Sequence, residues 1–130
     1  LDSGQLLLHR NAALPWFILV PETDCEDLLD LPDEARAQVM SDAKATADFI
    51  KAHFGLTKIN VAALGNVVPQ LHLHVIGRSH KDPCWPNPVW GLFPTQPYTE
   101  RARQEVCAGL IDHLVDFTPS HSCVVPPRAY

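Results

Sequence analysis

The sequence lacks several features that would place it in a broad class of proteins. No apolar run approaches the roughly 18 residues that a membrane-spanning helix requires. The 10 Lys and Arg residues are outnumbered by 15 Asp and Glu, and a net charge of −5 argues against a general nucleic-acid-binding surface. No G-x-S-x-G sequence occurs, which leaves a Ser-His-Asp hydrolase poorly supported. We therefore expect neither a membrane nor a nucleic acid as a partner.

The cysteines also lack an organising pattern, because no two of them are separated by only two residues: Cys25, Cys84, Cys107 and Cys123. Four cysteines could form two disulfides in a secreted protein. A chain of 130 residues with 46% apolar side chains can build an ordinary core, so we predict free thiols and a cytoplasmic protein. Residues 1–4 show no basic segment before an apolar run, so we expect no signal peptide. They also lack an initiating methionine, so we expect that residues are missing from this end.

The order of apolar runs predicts a single α+β domain over residues 1–130, with an antiparallel sheet and two main helices. Residues 118–130 are rich in proline and are predicted to form an extended tail. Between the last strand and the second helix, three aromatic residues alternate with prolines, which predicts an ordered loop. The predicted elements are strands at 5–9 and 16–20, a helix from Pro32 to Gly55, strands at 59–64 and 70–76, a loop at 79–97 anchored by Trp85, Trp90 and Phe93, and a helix from Thr99 with a core stripe ending at Phe117.

Polar and apolar residues alternate from Gln70 to Val75 in the fourth predicted strand, QLHLHVI at 70–76. A β-strand would place Gln70, His72 and His74 on one face and the intervening apolar residues on the core face. Imidazoles two residues apart on a strand lie roughly 7 Å from each other. That spacing suits one phosphate group, or one metal ion, reached by both rings. The alternative is that His72 and His74 lie on the wet face of a half-exposed strand.

The residues before this strand favour a binding site. Gly65 and Asn66 form a turn signal after the apolar run at 59–64. Two antiparallel strands joined there would bring Asn60, Asn66 and the histidine face to one edge. Neutral hydrogen-bond donors beside two imidazoles predict an anion site that needs no glycine-rich phosphate loop.

The stretch NVVPQLHLHVIGR resembles the signature of the histidine triad (HIT) nucleotide hydrolases and transferases, His-φ-His-φ-His-φ-φ with φ apolar. Here Gln70 occupies the first triad position, and His72 and His74 occupy the second and third. The QLHLH form resembles a bacterial subgroup. The resemblance extends upstream through LLLHRNAALPWFILVP and downstream to WPNPVWG, which together cover about two thirds of the chain or more.

The resemblance implies an antiparallel sheet of about five strands, a homodimer with sites near its interface, and cleavage at the α-phosphate of a dinucleoside polyphosphate or nucleoside phosphoramidate. It makes His72 the nucleophile, which forms a covalent nucleotidyl-histidine, and gives His74 the task of stabilising phosphate charge. Neutral imidazole suits the first task, because its unperturbed pKa is about 6.5. No cofactor is required by this chemistry, and a divalent metal is compatible with it.

The resemblance also assigns substrate-binding roles to four other side chains. Asn60 and Asn66 match positions that contact the phosphate or the leaving group. Asn11 matches a ribose-binding position where the family has a carboxylate; the alternative is a plain turn residue. Gln70 cannot change protonation state as an imidazole does, so we expect activity to survive with a changed rate or leaving-group preference.

Three alternatives remain open at this level. His72 and His74 could bind zinc together with His80 or Cys84, although the spacing matches no usual finger pattern. The chain could instead be a nucleotide-binding module with little or no turnover, because Gln70 replaces a histidine. The loop at 79–97 could form a pocket wall, a surface for a partner subunit, or simple cover for the core.

Overall fold

The apolar runs form a four-stranded sheet in the computed structural model, which describes residues 1–91 and 96–114. Its strands are β1 (Gly4–Leu8), β2 (Trp16–Pro21), β3 (Lys58–Ala62) and β4 (Leu73–Arg78), in the spatial order β1-β2-β4-β3 with antiparallel neighbours throughout. The predicted α+β fold is confirmed, with four strands in the described residues where about five were expected. The predicted tail at 118–130 lies outside the described residues, as do Phe93, Phe117 and Cys123.

Helix α1 (Asp33–Phe54) begins and ends where the sequence predicts. Asp33 and Glu34 occupy its first turn, where acidic side chains interact favourably with the helix dipole. Gly55 ends the helix in the left-handed conformation, with φ of 65°, and its N–H donates to the carbonyl of Lys51. A glycine in β4 lets this helix approach the sheet closely, because a Cβ at Gly77 would lie 2.6 Å from a methyl group of Ile50.

Helix α2 (Glu100–His113) begins at the predicted Thr99, whose side-chain oxygen accepts a hydrogen bond from the Ala102 N–H at 3.2 Å. Its buried side chains, Val106 and Leu110, pack with α1 in one cluster. Neither helix of the described residues is long and apolar enough to cross a membrane.

The two faces of the sheet are covered by different kinds of structure. We call one the helix-covered face: its central residues pack with α1 and α2 and are Phe17, Leu19, Leu73 and Val75. We call the other the loop-covered face: its central residues are Trp16, Ile18, His74, Ile76 and Arg78. Cys84 and Val89 of the proline-rich loop are buried against it. The loop-covered face is the one that carries the strand histidine.

Candidate active site

Both predicted histidines are buried, one within the central strand β4 and the other in the connection that leads into it. His74 lies in β4, opposite Ile18 of β2 and Ala62 of β3, and is 2% exposed. His72 is 5% exposed, and the two ring centroids are 5.2 Å apart. The interpretation that these histidines lie on a wet strand face is therefore wrong. The strand also begins later than predicted, at Leu73, so residues 70–72 belong to the connection that leads into it.

The proton of His72 is located by a backbone carbonyl. Its Nδ1 lies 2.7 Å from the carbonyl oxygen of Gln70, and a carbonyl can only accept a hydrogen bond. Nδ1 of a neutral ring must therefore carry the hydrogen, and the lone pair lies on Nε2. An imidazole in this state presents a nucleophilic or basic nitrogen at Nε2.

The proton of His74 is located by a hydrogen-bond donor, whereas that of His72 is located by an acceptor. Its Nδ1 lies 2.9 Å from the indole nitrogen of Trp16, and an indole N–H can only donate. Nδ1 must accept, so the hydrogen of the neutral ring is on Nε2. Burial, the neighbouring His72 and then His9 lower the pKa of His74 to about 4. His74 is therefore a neutral hydrogen-bond donor at physiological pH.

A group of aromatic rings holds His74 and its indole partner in place. His9 stacks on Trp16 with ring centroids 3.9 Å apart. Trp90 meets both Trp16 and His74 edge-on, at 5.6 and 5.2 Å. Burial, and secondarily Arg10, lower the pKa of His9 to about 4, so this ring is also neutral. The proline-rich loop thus supplies a ring that packs against a predicted catalytic histidine. This contact is compatible with both the pocket-wall and the core-cover interpretations of the loop.

Sequence reasoning missed Trp16 and His9. Trp16 opens a continuous apolar run, so its pattern indicates a buried strand and nothing about a hydrogen bond to a residue 58 positions away. Its indole N–H was the available signal, because a buried indole usually finds an acceptor.

Gln70 supports the site through its backbone rather than its side chain. Its carbonyl orients His72, as described above. Its side-chain amide instead donates to the carbonyls of Pro21 and Thr23, at 3.2 and 3.3 Å, and so ties this connection to the end of β2. The orienting interaction at the first triad position is therefore independent of the side-chain type.

Asn60 lies on the loop-covered face but contacts an arginine. Its Oδ1 accepts from Arg78 at 2.6 Å, and Arg78 also binds Asp82 in a salt bridge and the carbonyl of Asn87. Burial alone would raise the pKa of Asp82, but hydrogen bonds from Arg78 and two backbone N–H groups outweigh it and lower this pKa. The cluster anchors the proline-rich loop to β4 and β3.

The other two predicted binding residues lie apart from this cluster. Asn66 is exposed in the connection between β3 and β4. Asn11 is 4% exposed, and its Oδ1 accepts from the backbone N–H groups of Ala13 and Gln96 at 3.1 and 3.0 Å. This geometry matches the turn alternative for Asn11, and any ribose contact would fall to its amide nitrogen.

The described ranges 1–91 and 96–114 contain no group of three His, Cys, Asp or Glu side chains that could hold a metal ion. The zinc shell considered for His72, His74 and either His80 or Cys84 does not form. His80 instead packs against Trp85, with ring centroids 4.4 Å apart.

Comparisons with known proteins identify the family and agree with the fold. The HIT domain family matches residues 2–81, which include the whole sheet and both histidines. No curated protein matches the chain. The fold and the site define a histidine triad protein, and the chain belongs to the HIT family.

Three solved structures are similar to the chain over most of its length. A histidine triad protein from Sinorhizobium meliloti is 36% identical, with a TM-score of 0.82, and the match covers 88% of this chain and 85% of that one. A histidine triad protein from Bradyrhizobium japonicum is 34% identical, with a TM-score of 0.83 and coverage of 87% and 85%. A histidine triad protein from Marinobacter aquaeolei is 42% identical, with a TM-score of 0.80 and coverage of 86% and 82%.

Proposed function

We propose that this protein is a nucleotide hydrolase or nucleotidyl transferase that cleaves at the α-phosphate of a dinucleoside polyphosphate or a nucleoside phosphoramidate. The observation that carries the proposal is the opposite placement of protons on two adjacent imidazoles. His72 has its lone pair on Nε2, whereas His74 has its hydrogen there. One ring can attack a phosphorus atom while the other donates to a phosphoryl oxygen.

In the first proposed step, Nε2 of His72 attacks the α-phosphorus and forms a nitrogen–phosphorus bond. The bond from phosphorus to the leaving group breaks, and the leaving atom keeps the electron pair. A polyphosphate departs as its anion, and the nitrogen of a phosphoramidate takes up a proton from solvent as it departs. Negative charge grows on the phosphoryl oxygens and the leaving group, and the Nε2–H of His74 stabilises it by a hydrogen bond. Because His74 is neutral and buried, this donor is already oriented before the substrate arrives.

In the second proposed step, a water molecule attacks the nucleotidyl-His72 intermediate. The nitrogen–phosphorus bond breaks, Nε2 of His72 recovers its electron pair, and a proton of the water passes to solvent. The product is a nucleoside monophosphate. A covalent intermediate replaces one difficult displacement by two easier ones.

The remaining predicted site residues have supporting roles in the proposal. We assign Asn60 and Asn66 to the phosphate or leaving group, with the Asn60 amide oriented by its bond to Arg78. Gln70 contributes its backbone carbonyl to His72. We retain Asn11 only as a ribose contact through its amide nitrogen. The reaction needs no resident cofactor, and a divalent metal bound to the substrate phosphates is compatible with it.

The proposal includes a homodimer and a cytoplasmic location. Strand β3 lies at one edge of the sheet, and apolar side chains on and after it are exposed: Val61 48%, Leu64 45% and Val67 90%. An exposed apolar edge favours association with a second copy. Cys25 and Cys84 are free thiols, which suits a reducing compartment. Sedimentation of the purified chain would test the dimer.

The test of function is a turnover panel of diadenosine tetraphosphate, diadenosine triphosphate and adenosine phosphoramidate. We expect wild type to release a nucleoside monophosphate and His72→Ala to lose at least about a thousandfold in rate, because the nucleophile is gone. His80→Ala is the matched control, since it removes an exposed histidine that lies outside the site. Mass spectrometry of acid-sensitive nucleotidyl protein, formed by wild type alone, would identify the intermediate.

Two outcomes would contradict the proposal. Equal turnover by His72→Ala and wild type would remove His72 as the nucleophile. Nucleotide binding by wild type without any turnover of the panel would favour the binding-module alternative. The loss of turnover would then be attributed to Gln70, which replaces a histidine of the triad.

A further inference from the structure

The contact between Trp16 and His74 has consequences beyond packing. Trp16 is 4% exposed, His74 is 2% exposed, and the indole nitrogen lies 2.9 Å from Nδ1 of the histidine. The two residues belong to neighbouring strands, with Trp16 opposite Ile76 and His74 opposite Ile18 in the register. A buried hydrogen bond between two side chains on paired strands fixes both rings.

We propose that Trp16 is a positioning residue that holds the proton of His74 on Nε2 and keeps this ring neutral. The catalytic consequence rests on the proposed function: His74 then presents an N–H group, and never a lone pair, to the substrate phosphate. The placement of the proton itself does not depend on any substrate.

The alternative states of His74 are each in conflict with the indole. If the hydrogen moved to Nδ1, two donors would face each other at 2.9 Å and Nε2 would direct a lone pair at an anion. If both nitrogens were protonated, the same two donors would oppose each other and a buried charge would be added. Only the neutral Nε2–H state satisfies both the indole and the proposed ligand.

The position of Trp16 is itself secured from two sides. His9 stacks on the indole at 3.9 Å, and Trp90 packs against it edge-on at 5.6 Å. The Nδ1 of His9 accepts the backbone N–H of Asn11 at 3.2 Å, which orients the stacked ring. The indole therefore cannot turn away from His74 without disrupting both neighbours.

The groups that face His74 all favour its neutral form. His72 precedes it in the chain, and His9 lies at the end of β1 with Arg10 beside it. The facing residues from β2, β3 and the loop are uncharged: Trp16 and Ile18, Ala62, and Trp90. On β4, the charge of Arg78 is paired with Asp82. Burial and these groups lower the pKa of His74 to about 4.

The test is a measurement of imidazole nitrogen signals by long-range ¹⁵N–¹H NMR on the full chain without substrate. In wild type we expect His74 to show a hydrogen on Nε2 and His72 a hydrogen on Nδ1. A scalar coupling across the hydrogen bond from the Trp16 indole to Nδ1 of His74 is expected as well. This measurement needs no variant, so it stands even if substitution at Trp16 impairs folding.

The variant Trp16→Phe keeps an aromatic ring and removes the donor. We expect His74 to become a mixture of tautomers and its pKa to rise by about one unit, a tenfold gain in proton affinity that corresponds to one typical hydrogen bond. Trp90→Phe is the matched control, because its ring lies 5.2 Å from that of His74, close to the 5.5 Å of Trp16. This control should leave the tautomer of His74 unchanged.

Three results would overturn the inference: a hydrogen on Nδ1 of His74 in wild type, an unchanged His74 tautomer in Trp16→Phe, or an equal change of tautomer in the two tryptophan variants. Substrate turnover is measured separately, so failure of the proposed function is distinguishable from failure of this inference. If wild type cleaves the panel, Trp16→Phe should lower kcat by up to about tenfold, because part of the His74 population would then direct a lone pair at the substrate phosphate. An unchanged tautomer in Trp16→Phe would assign Trp16 to packing alone.

Discussion

The two faces of the sheet differ in the kind of side chain that they bury. On the helix-covered face, Phe17, Leu19, Leu73 and Val75 are fully buried and purely apolar, so their burial needs no partner of specific geometry. On the loop-covered face, His74 and Arg78 are as deeply buried but are polar, and each is held by a hydrogen-bonded partner. A satisfied polar group in a dry environment has a fixed position and a fixed protonation state. The first face therefore contributes to stability through packing alone, whereas the second also holds the side chains of the proposed site in fixed orientations.

Two consecutive residues of β2 show this contrast at close range. Trp16 points to the loop-covered face and donates to His74. Phe17 points to the helix-covered face and packs edge-on against Phe49 of α1, with ring centroids 5.8 Å apart. Both are large aromatic residues in the same strand, but only the first can alter the proton of a histidine. Substitutions at these positions should separate stability from catalysis.

The largest expected effect on stability comes from Phe17→Ala. The substitution leaves a cavity between β2 and α1, and we expect a loss of about 4 kcal/mol in the free energy of unfolding. The proton positions of His72 and His74 should not change, because Phe17 lies on the other face. Urea unfolding measures the first quantity, and NMR of the histidines under folding conditions measures the second.

If the alanine variant is too unstable to measure, Phe17→Leu can be used in its place, because leucine retains most of the apolar volume. A stability loss accompanied by loss of the Nε2–H state of His74 would break the distinction between the two faces. It would show that the site depends on the general rigidity of β2 rather than on its own hydrogen bonds.

A smaller effect is expected from Asp82→Asn on the loop-covered face. The substitution leaves the buried guanidinium of Arg78 without its carboxylate, although Asn60 and the carbonyl of Asn87 still accept from it. We expect destabilisation of roughly 3 kcal/mol, at the low end for breaking a buried ion pair. The matched control is Glu105→Gln, which breaks the exposed pair with Arg101 on α2 and should destabilise the fold much less, because solvent screens that pair.

The same pair predicts the direction of a pH effect. The pKa of Asp82 is lowered in the folded protein, so its contribution to stability is present above the ordinary pKa of 3.8 and is lost as the pH falls through the folded value. Asp82→Asn should therefore flatten the loss of stability in this acid range, whereas Glu105→Gln should change it much less. Equal slopes in both variants would contradict the assignment of the pair to the buried anchor.

The sequence predicts the helix-covered face well, because apolar periodicity and helix-end signals are local. The limits of α1 follow from Pro32 and Gly55, and the start of α2 follows from Thr99. The alternation around His72 and His74 likewise brings the two rings together, at 5.2 Å. These predictions need only the spacing of residues that are close together in the chain.

The loop-covered face is less predictable because its partners are distant in the chain or belong to the backbone. Trp16 and His74 are 58 positions apart, and Asn60 and Arg78 are 18 positions apart. The sequence assigns Asn60 to a phosphate, but whether its side chain meets a ligand or an arginine depends on strand register. The orientation of His72 by the Gln70 carbonyl cannot be predicted from residue types, because every residue has a backbone carbonyl.

The smallest expected effect is that of Gln70→Ala, and it tests this last point. The substitution removes two long hydrogen bonds from an exposed side chain to Pro21 and Thr23, and we expect a stability loss of about 1 kcal/mol. The backbone carbonyl that holds Nδ1 of His72 remains, so turnover should fall by less than about tenfold and the tautomer of His72 should persist.

Gln70→Glu is a more stringent test of the same point, because it replaces the side-chain donor by a carboxylate that the same two carbonyls repel. If that variant disturbs the β2 connection yet preserves the His72 tautomer, the backbone orients the nucleophile. If either variant abolishes turnover while the fold is intact, the Gln70 side chain takes part in the reaction itself. The residue at the first triad position then has a chemical role rather than a structural one.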